Sequence, residues 1–356
     1  MRSEKFADIK MSKKRKIIAK PPRFLTPVSR YLKNGLRYVQ PYGFEFTAFA
    51  KGRWVGRTVL QVCSSEFLAY SKEYYQEAIR EGRVRVNQEL VDPDYIFRNN
   101  DLFTHIAECV ENPVSGDPIE VIFESPKLLV VNKPSSIPVH ACGGYRVNTL
   151  VSILAANLPN HPQLHPAHRI DRLTSGIVIL GKSLGATREV SDQLQEPNGV
   201  TKLYLARVSG RLESEATVRG WIDCVDLRIG KFVFSETQGG VGSKWSETVV
   251  RPVKYFSTET LVECRPVTGR THQIRLHLQH LGHPIANDVC YGGVVEAEHE
   301  FAIPQIPSLQ ADSLGQSFCG GIFLHAFRYA IPALGLDVCA PRPPWAEEGE
   351  KAVAAI

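Results

Sequence analysis

Asp171 is the first candidate for chemistry, because it lies between Arg169 and Arg172 in the stretch His168–Ile177, HRIDRLTSGI. One interpretation is a solvated turn, in which an aspartate keeps a pKa near 4. The other is a reagent carboxylate that a nearby cation keeps ionised in a dry cleft. The buried strand predicted from GIVIL would anchor the loop, and one charge at about 4 Å contributes roughly 4 kcal/mol at an effective dielectric near 20. The local sequence leaves both interpretations open.

A second cluster of basic side chains lies in RPVTGRTHQIRLHLQH, residues 265–280. Arg275 follows a Thr-Gly turn in the first turns of a predicted helix, from which it can project into a cleft; a surface salt bridge is the alternative. The histidines lack the H-E-x-x-H spacing, and no acid follows them before Asp288, so we expect no metal site. The candidates that this segment supplies are Arg270, His272, Arg275, His277 and His280.

Tyr204 occupies the middle of the predicted strand TKLYLARV, where it shares one face with Lys202 and Ala206. It is either a core tyrosine or an aromatic platform on which a flipped base stacks. The sequence contains no G-x-G-x-x-G, no phosphate-binding P-loop, no zinc-deaminase pattern and no G-x-S-x-G. These absences exclude base deamination and favour an α+β fold over a doubly wound nucleotide-binding fold.

The elements that must position these residues suggest two domains, which a chain of 356 residues usually forms. In the first half, Val59 to Phe67 predicts a helix. A second helix is predicted from the cap Ser71 to the stop Gly82, and a hairpin then turns at Asn87-Gln88. This module of about fifty residues suits RNA docking; an ordinary small α+β domain is the alternative. Beyond residue 116, apolar runs and helical spacing alternate irregularly, which favours an α+β fold.

Charge is distributed unevenly along the chain. Residues 1–37 hold twelve Lys and Arg against two acids, whereas the remainder holds 30 basic and 35 acidic residues. The basic segment is either a handle for a polyanion or a solvated disordered tail. The run KKRK at 13–16 fits a nuclear import signal, and Glu4 and Asp8 are poorly suited to a mitochondrial presequence. Scattered cysteines without a C-x-x-C pair indicate an intracellular protein, and no run is long enough to span a membrane.

Several motifs together resemble the RluA-type RNA pseudouridine synthases over residues 116–340, and over 38–340 with the front module. GLRYVQPYGFEFTAFAKGRWVGRTVLQV further resembles the eukaryotic branch, whose members modify anticodon-loop uridines of tRNA and in some cases mRNA. Residues 53–105 resemble an alpha-L RNA-binding domain. The motifs that carry the resemblance are VVNKPSSIPVH, HPAHRIDRLTSGIVILGKS, KLYLARVSG, RPVTGRTHQIRLHLQHLGHPIANDVCYGG and FLHAF.

The resemblance implies an α+β pseudouridine synthase fold. Its central, mostly antiparallel mixed sheet is flanked by helices and loops and preceded by the small alpha-L domain. We expect four parts: a basic, disordered arm at 1–37, the RNA-binding domain with its preceding strand at 38–110, the catalytic domain at 116–340, and a tail at 341–356. Three segments depart from the family pattern and bear on the choice of RNA: 140–146, 211–245 and 293–321.

The resemblance also assigns roles to residues. It implies that Asp171 is the essential aspartate, with Arg275 as its counter-ion and Tyr204 beneath the target base. Arg169 fills the space that the flipped base leaves, and Leu324 lines the uracil pocket. The turn at Lys133-Pro134 is structural. We expect three further substrate-binding residues: His168, Arg270 and His272.

The implied function is isomerisation of specific uridines to pseudouridine, with tRNA and its anticodon stem-loop as the expected substrate. We expect no cofactor, no metal, no membrane association and a monomer in the cytoplasm or nucleus, with the mitochondrion less favoured. The alternatives are the same chemistry on rRNA or mRNA, a catalytically silent RNA-binding protein, and an RNA glycosidase that releases uracil. Intact Asp171, Tyr204 and Arg275 argue against the silent protein.

Overall fold

The structure is a computed structural model that divides into two compact units. The first unit contains residues 23–28 and 41–110, and the second contains residues 29–40 and those from 111 onward. Within the described part, no helix is long and apolar enough to cross a membrane. The residues that the structure describes are 23–67, 69–161, 163–196, 199–226, 230–294 and 321–347.

Strands dominate the described part of the chain. They are β1 (Arg23–Phe24), β2 (Arg30–Lys33), β3 (Leu36–Val39), β4 (Tyr42–Phe49), β5 (Val84–Val86), β6 (Glu89–Leu90), β7 (Leu102–Cys109), β8 (Val114–Ser115), β9 (Glu120–Glu124), β10 (Leu128–Lys133), β11 (His165–Pro166), β12 (Ser175–Gly181), β13 (Thr201–Ser209), β14 (Ala216–Asp226), β15 (Lys231–Ser235), β16 (Lys244–Tyr255), β17 (Glu259–Pro266), β18 (Leu324–Ile331) and β19 (Leu336–Cys339). The α-helices are α1 (Val59–Glu66), α2 (Lys72–Arg80), α3 (Leu150–Asn157), α4 (Leu184–Gln193) and α5 (Gln273–His280), and short 3₁₀ helices cover Gly52–Trp54, Val289–Tyr291, Pro332–Leu334 and Pro344–Ala346.

The first unit packs α1 and α2 against a five-stranded antiparallel sheet of order β1-β4-β7-β5-β6. Thr58 caps α1 in a capping box with Gln61, and Ser71 caps α2 as predicted. The core contains the buried rings of Trp54 and Tyr75. Burial of such large apolar side chains, each worth about 1.5–3 kcal/mol, stabilises a unit of this small size.

The hairpin predicted in the first unit is confirmed. β5 pairs with β6, and the turn residues Asn87 and Gln88 both adopt positive φ, 55° and 71°. That conformation is the one that a two-residue hairpin turn needs to match the twist of its strands. The Asn87 side chain reinforces the turn, since its amide donates to Asp101 and its oxygen accepts from the Leu102 N–H.

The second unit is built on an eleven-stranded sheet. Its order is β15-β14-β16-β17-β13-β18-β12-β10-β9, with β11 paired to β12 and β19 to β18. Every pairing is antiparallel except that of β12 with β18. This arrangement confirms the predicted α+β class with a mostly antiparallel mixed sheet. The helices α3 and α4 pack on the strand core around β10 and β12, and α5 packs against β16 and β17.

The parallel pairing of β12 with β18 depends on one glycine. Gly176 has φ 108°, and a Cβ on it would lie 2.3 Å from the carbonyl oxygen of Ala326. Only glycine tolerates both the conformation and the close approach. The segment that follows Asp171 is therefore held tightly against β18.

The structure differs from the disordered arm expected at 1–37, because the second half of that segment forms strands. β2 and β3 form a hairpin whose turn is Asn34-Gly35, with φ 51° and 72°. In the second unit, β3 of this hairpin also pairs with β8. Asn-Gly is a strong hairpin signal between alternating residues, and Pro21, Pro22 and Pro27 in the same segment had favoured disorder. Arg30 fastens this hairpin to α3, because it donates to the hydroxyl and carbonyl of Ser152. Residues 1–22 lie outside the described part.

Two other segments of the sequence analysis are placed differently. Residues 211–245, which departed from the family pattern, contain the regular strands β14 and β15. β14 pairs with β16 and β15 pairs with β14, so both strands extend the sheet. The tail at 341–356 begins with packed residues: Trp345 stacks on Phe323 at 5.3 Å, and Ala346 is buried. Most of the segment 293–321 lies outside the described residues, as do residues 348–356.

Candidate active site

A cavity of about 320 Å³ opens in the second unit where the loop before β12 meets β13 and the start of α5. Arginine and lysine side chains supply four of its lining residues, and Asp171 is the one carboxylate among the described lining residues. The lining therefore carries a surplus of positive charge. Its charged side chains are Arg169, Asp171, Lys202, Arg270 and Arg275.

A tight turn fixes Asp171. The Thr174 N–H donates to the Asp171 carbonyl oxygen at 3.1 Å. Beneath the turn lies Lys133, which is fully buried, and its ammonium donates to the carbonyls of Pro134 at 2.8 Å and Arg172 at 3.3 Å. Burial lowers the pKa of Lys133 to about 7, with Asp171 opposing that change. The position agrees with the structural role expected for the Lys133-Pro134 turn.

Arg275 holds two carboxylates at once. Its Nε and Nη2 donate to Asp288 at 2.6 and 2.9 Å, and its Nη1 lies 3.4 Å from Asp171 Oδ2. The side chains of Arg275 and Asp288 are 4% and 1% exposed, so this fork is almost completely dry. A two-pronged contact of this kind fixes the guanidinium plane. Asp288 thereby aims the third donor of Arg275 at Asp171.

His272 completes the surroundings of Asp171. Its Nε2 lies 3.7 Å from Asp171 Oδ2, and its Nδ1 is hydrogen-bonded to the Tyr291 hydroxyl at 2.7 Å. The backbone of His272 is left-handed, with φ 56°, a costly conformation for this residue type. It turns the imidazole into the cavity at the start of α5. The Tyr291 ring also lies 4.8 Å from the guanidinium carbon of Arg275.

Electrostatics keep Asp171 ionised although its side chain is partly withdrawn from water. Burial by itself raises the pKa of the carboxyl, but His272, Arg275 and Arg169 outweigh it, and the pKa ends below its ordinary value of 3.8. Burial lowers the pKa of His272, so at neutral pH the imidazole is uncharged and Arg275 and Arg169 are the cations that act on Asp171. For Arg275, the carboxylates outweigh burial and raise the pKa further. The site therefore contains a carboxylate that is ready to react at neutral pH.

Tyr204 forms one wall of the cavity. Its hydroxyl is hydrogen-bonded to that of Tyr329 at 2.6 Å. Burial raises the pKa of Tyr204 to about 12, so it stays a phenol at neutral pH. Behind this pair, the His168 ring stacks on Tyr329 at 4.9 Å, and its Nε2 accepts the Ile179 N–H. Tyr204 thus presents a ring whose position is fixed from behind.

The other histidines of residues 265–283 have separate partners. His277 is buried between the hydroxyls of Ser246 and Thr248, at 3.0 and 2.9 Å, and His280 faces Glu236 at the surface. Among the described residues, no group of three or more His, Cys, Asp or Glu side chains could hold a metal ion.

The structure brings all eight predicted site residues to the lining of one cavity: His168, Arg169, Asp171, Tyr204, Arg270, His272, Arg275 and Leu324. His168 is the least available of them, because its ring nitrogen already accepts a backbone N–H. Sequence reasoning missed the parts of Asp288 and Tyr329. Asp288 had one signal, an acid among the mostly uncharged residues of HPIANDVCYGG, whereas Tyr329 had none beyond its aromatic type.

Two family models match the chain. The model described as RNA pseudouridylate synthase matches residues 127–280, which include Asp171, Tyr204 and Arg275. The S4 domain model matches residues 58–103, where the sequence analysis expected the alpha-L domain. The two matches fall in different compact units.

Several curated proteins are similar in sequence. Human "Pseudouridylate synthase RPUSD2" is 41% identical over 75% of this chain and 48% of its own length. The yeast "tRNA pseudouridine(32) synthase, mitochondrial" is 40% identical over 72% of this chain and 55% of its own. The yeast "tRNA pseudouridine(31) synthase" is 35% identical over 73% of each chain. The chain thus spans about half the length of the first two relatives and almost three quarters of the third.

A solved structure, "Human RNA Pseudouridylate Synthase Domain Containing 1", resembles the protein with a TM-score of 0.50 and 25% identity, over 69% of this chain and 94% of that one. Fold and site together define a pseudouridine-synthase-type catalytic unit accompanied by an S4 domain. The chain belongs to the RluA-type RNA pseudouridylate synthase family.

Proposed function

We propose that the protein is an RNA pseudouridine synthase that isomerises specific uridines of tRNA in the anticodon stem-loop. Membership of the family supports the reaction. The names of two yeast relatives, which give tRNA positions 31 and 32, support the substrate. The S4 domain and the basic lining of the cavity fit a polyanionic substrate.

One observation carries the proposal: the carboxylate of Asp171 is held ionised by Arg275 in a cavity that has Tyr204 as a wall. Isomerisation breaks the bond between uracil N1 and the sugar C1′ and forms a bond from C5 to C1′. C5 loses a proton and N1 gains one, so atoms and electrons balance within the substrate. Such a reaction needs one ionised carboxylate and a site that retains the detached base.

Asp171 serves each of the three routes by which this exchange can begin. It attacks the sugar carbon, adds to the uracil ring, or removes a sugar proton on the way to a glycal. Every route starts from the deprotonated carboxylate. The neighbouring cations keep Asp171 in that form because they lower its pKa. Tyr204 stays protonated at neutral pH, and it contributes a stacking surface and a hydroxyl dipole.

The target uridine must leave its stack before it reaches Asp171. Base flipping costs a few kcal/mol, and stacking on Tyr204 offsets about 1–3 kcal/mol of that cost. Arg169 lies two residues before Asp171 in the cavity lining, where it can occupy the space left in the RNA. Phosphate contacts made by the S4 domain hold the RNA without reading its bases.

Replacement of Asp171 by Asn tests the proposal. We expect D171N to form no pseudouridine in a tRNA transcript, as mapped by primer extension after carbodiimide treatment, while RNA binding stays within a few-fold of wild type. The matched control is Asp337→Asn, which alters an exposed aspartate paired with Arg328 at the surface and should keep full activity. Wild-type activity in D171N would overturn the assignment, and release of free uracil would indicate a glycosidase instead.

We further propose that the protein acts as a monomer in the cytoplasm or nucleus. The run KKRK at 13–16 fits nuclear import. The yeast relative named as mitochondrial sets the contrary expectation. Co-localisation of the tagged protein with a mitochondrial marker alone would exclude the cytoplasm and nucleus. The mass of a dimer in light scattering would exclude the monomer.

A further inference from the structure

The cavity contains cations that the chemistry at Asp171 does not use. Lys202 and Arg270 line it on the side of β13 and the turn before α5. Neither forms an ion pair with any carboxylate among the described residues. Arg270 is positioned by one contact, from its Nε to the carbonyl oxygen of Trp245 at 2.9 Å. The rest of its guanidinium remains available to a ligand.

Lys202 is built into the same wall as Tyr204. It lies two residues earlier on β13 and directly opposite Tyr329 on β18, so its side chain leaves the sheet on the face of that tyrosine. Its ammonium nitrogen lies 4.0 Å from the position that a Cβ on Gly269 would take. The ammonium therefore lies against the turn Thr268–Arg270.

An unpartnered lysine in this position has a cost. Lys202 makes no hydrogen bond or ion pair to any described residue, and it is partly withdrawn from water. Burial lowers its pKa, and Arg270 lowers it further. A desolvated cation is tolerated when an anion pairs with it. The described lining offers no such anion near Lys202, so a bound ligand that carries a negative charge would pair with it.

We propose that Lys202 and Arg270 bind a backbone phosphate next to the flipped uridine. This inference rests on the proposed function, since it takes an RNA nucleotide stacked on Tyr204 as the occupant of the cavity. A uracil edge offers neutral carbonyls, whereas a phosphate offers a full negative charge that offsets the desolvation of both cations. Arginine and lysine are the side chains that phosphate oxygens most often contact. The pair thus holds the target nucleotide by its backbone, whatever its neighbours in sequence.

Binding in the D171N background separates this site from turnover. With a synthetic anticodon stem-loop RNA, we expect Lys202→Gln to weaken binding about tenfold or more, as loss of a charge-assisted hydrogen bond does. The slope of log K against log salt should fall by about 0.7–0.9, the value of one phosphate. Lys202→Arg should keep most of the affinity and most of the salt dependence. The control Lys127→Gln changes an exposed lysine paired with Glu189 at the other end of β10 from Lys133, and it should change neither.

A neutral methylphosphonate, placed in turn on each side of the target uridine, identifies the phosphate. One substitution should weaken binding to the D171N protein as much as Lys202→Gln does, and combining the two changes should add nothing further. If the loss of binding caused by Lys202→Gln simply adds to the loss caused by the methylphosphonate at both positions, the inference is overturned. An unaltered salt slope in K202Q would overturn it as well. A thermal midpoint of K202Q at or above that of wild type excludes misfolding as the cause. If wild-type protein failed to make pseudouridine while the coupling persisted, the proposed function would fail and the phosphate site would stand.

Discussion

Removal of the charge on Arg275 should destabilise the protein and alter its pH dependence, and the two effects should be separable. Arg275→Met leaves Asp171 and Asp288 without the cation that they share. Asp288 is 1% exposed, and breaking a buried ion pair from one side costs about 3–5 kcal/mol. We therefore expect the free energy of unfolding to fall by that amount. Urea unfolding measures it as a lower midpoint with an unchanged m value.

The same variant should raise the pKa of Asp171. The Arg275 nitrogen lies 3.4 Å from Asp171 Oδ2, a distance at which two charges attract by about 5 kcal/mol at an effective dielectric near 20. Asp171 shares this cation with Asp288, so we expect a rise of about one to three pH units. The folded pKa of Asp171 now lies below its ordinary value. The carboxylate is therefore lost only at low pH in wild type, and at higher pH in the variant. The acid limb of kcat/KM should move up accordingly.

A double variant distinguishes the two consequences. Asp288→Asn combined with Arg275→Met removes both members of the buried pair. Most of the stability should return, because no unpaired charge is left inside. The activity should stay low and the acid limb displaced, because Asp171 still lacks its counter-ion. If the double variant is as unstable as Arg275→Met, or if it regains wild-type activity, the assignment of Arg275 as a bridge between two carboxylates is wrong.

Three further perturbations test other parts of the site. Tyr204→Phe keeps the ring and should retain activity within about tenfold, whereas Tyr204→Ala loses stacking worth about 1–3 kcal/mol; equal losses in single-turnover rates would contradict a stacking role. Burial lowers the pKa of Lys133 from 10.5 to about 7, so the unfolded state holds more protons between those values and stability should rise with pH there. Lys133→Met should flatten that rise in urea titrations, and an unchanged slope would refute it. Deletion of residues 1–22, which carry eight basic and two acidic residues, should reduce the salt dependence of RNA binding, whereas an identical slope would exclude phosphate contacts.

The sequence predicted those parts of the fold whose signals are local. Ser71 caps α2, and Gly82 follows the end of α2 with positive φ, because caps and stops depend on a few neighbouring residues. The Asn34-Gly35 hairpin was equally local, and it was missed because the prolines of the same segment favoured disorder. The regular strands of 211–245 were missed for another reason: their stability comes from pairing with β16, a partner that local patterning does not identify.

The residues of the site also divide into those that the sequence predicted and those whose roles depend on the folded chain. The motifs predicted that Asp171, Tyr204 and Arg275 meet, although about a hundred residues separate the first from the last. Arg169 and Arg172 flank Asp171 in the sequence, yet the arginine that lies within 4 Å of it in the structure is Arg275. Asp288 could not be predicted as the residue that orients this arginine, because its role follows from a burial and a fork geometry that exist only in the folded chain.

The N-terminal hairpin has a consequence for how the protein can be cut. The chain passes between the two compact units three times, near residues 28, 40 and 110, because β2 and β3 belong to the second unit. A nick near residue 28 or 40 leaves the main parts of the two units covalently joined at residue 110, whereas a nick near 110 leaves the chain from 111 onward attached to residues 29–40 by non-covalent contacts, such as the pairing of β3 with β8. A truncation that starts at residue 41 to trim the N-terminus would strip two strands from the catalytic unit. The separable catalytic fragment is thus discontinuous in sequence, and its expression requires residues 29–40 to be joined to the chain from 111 onward by a linker.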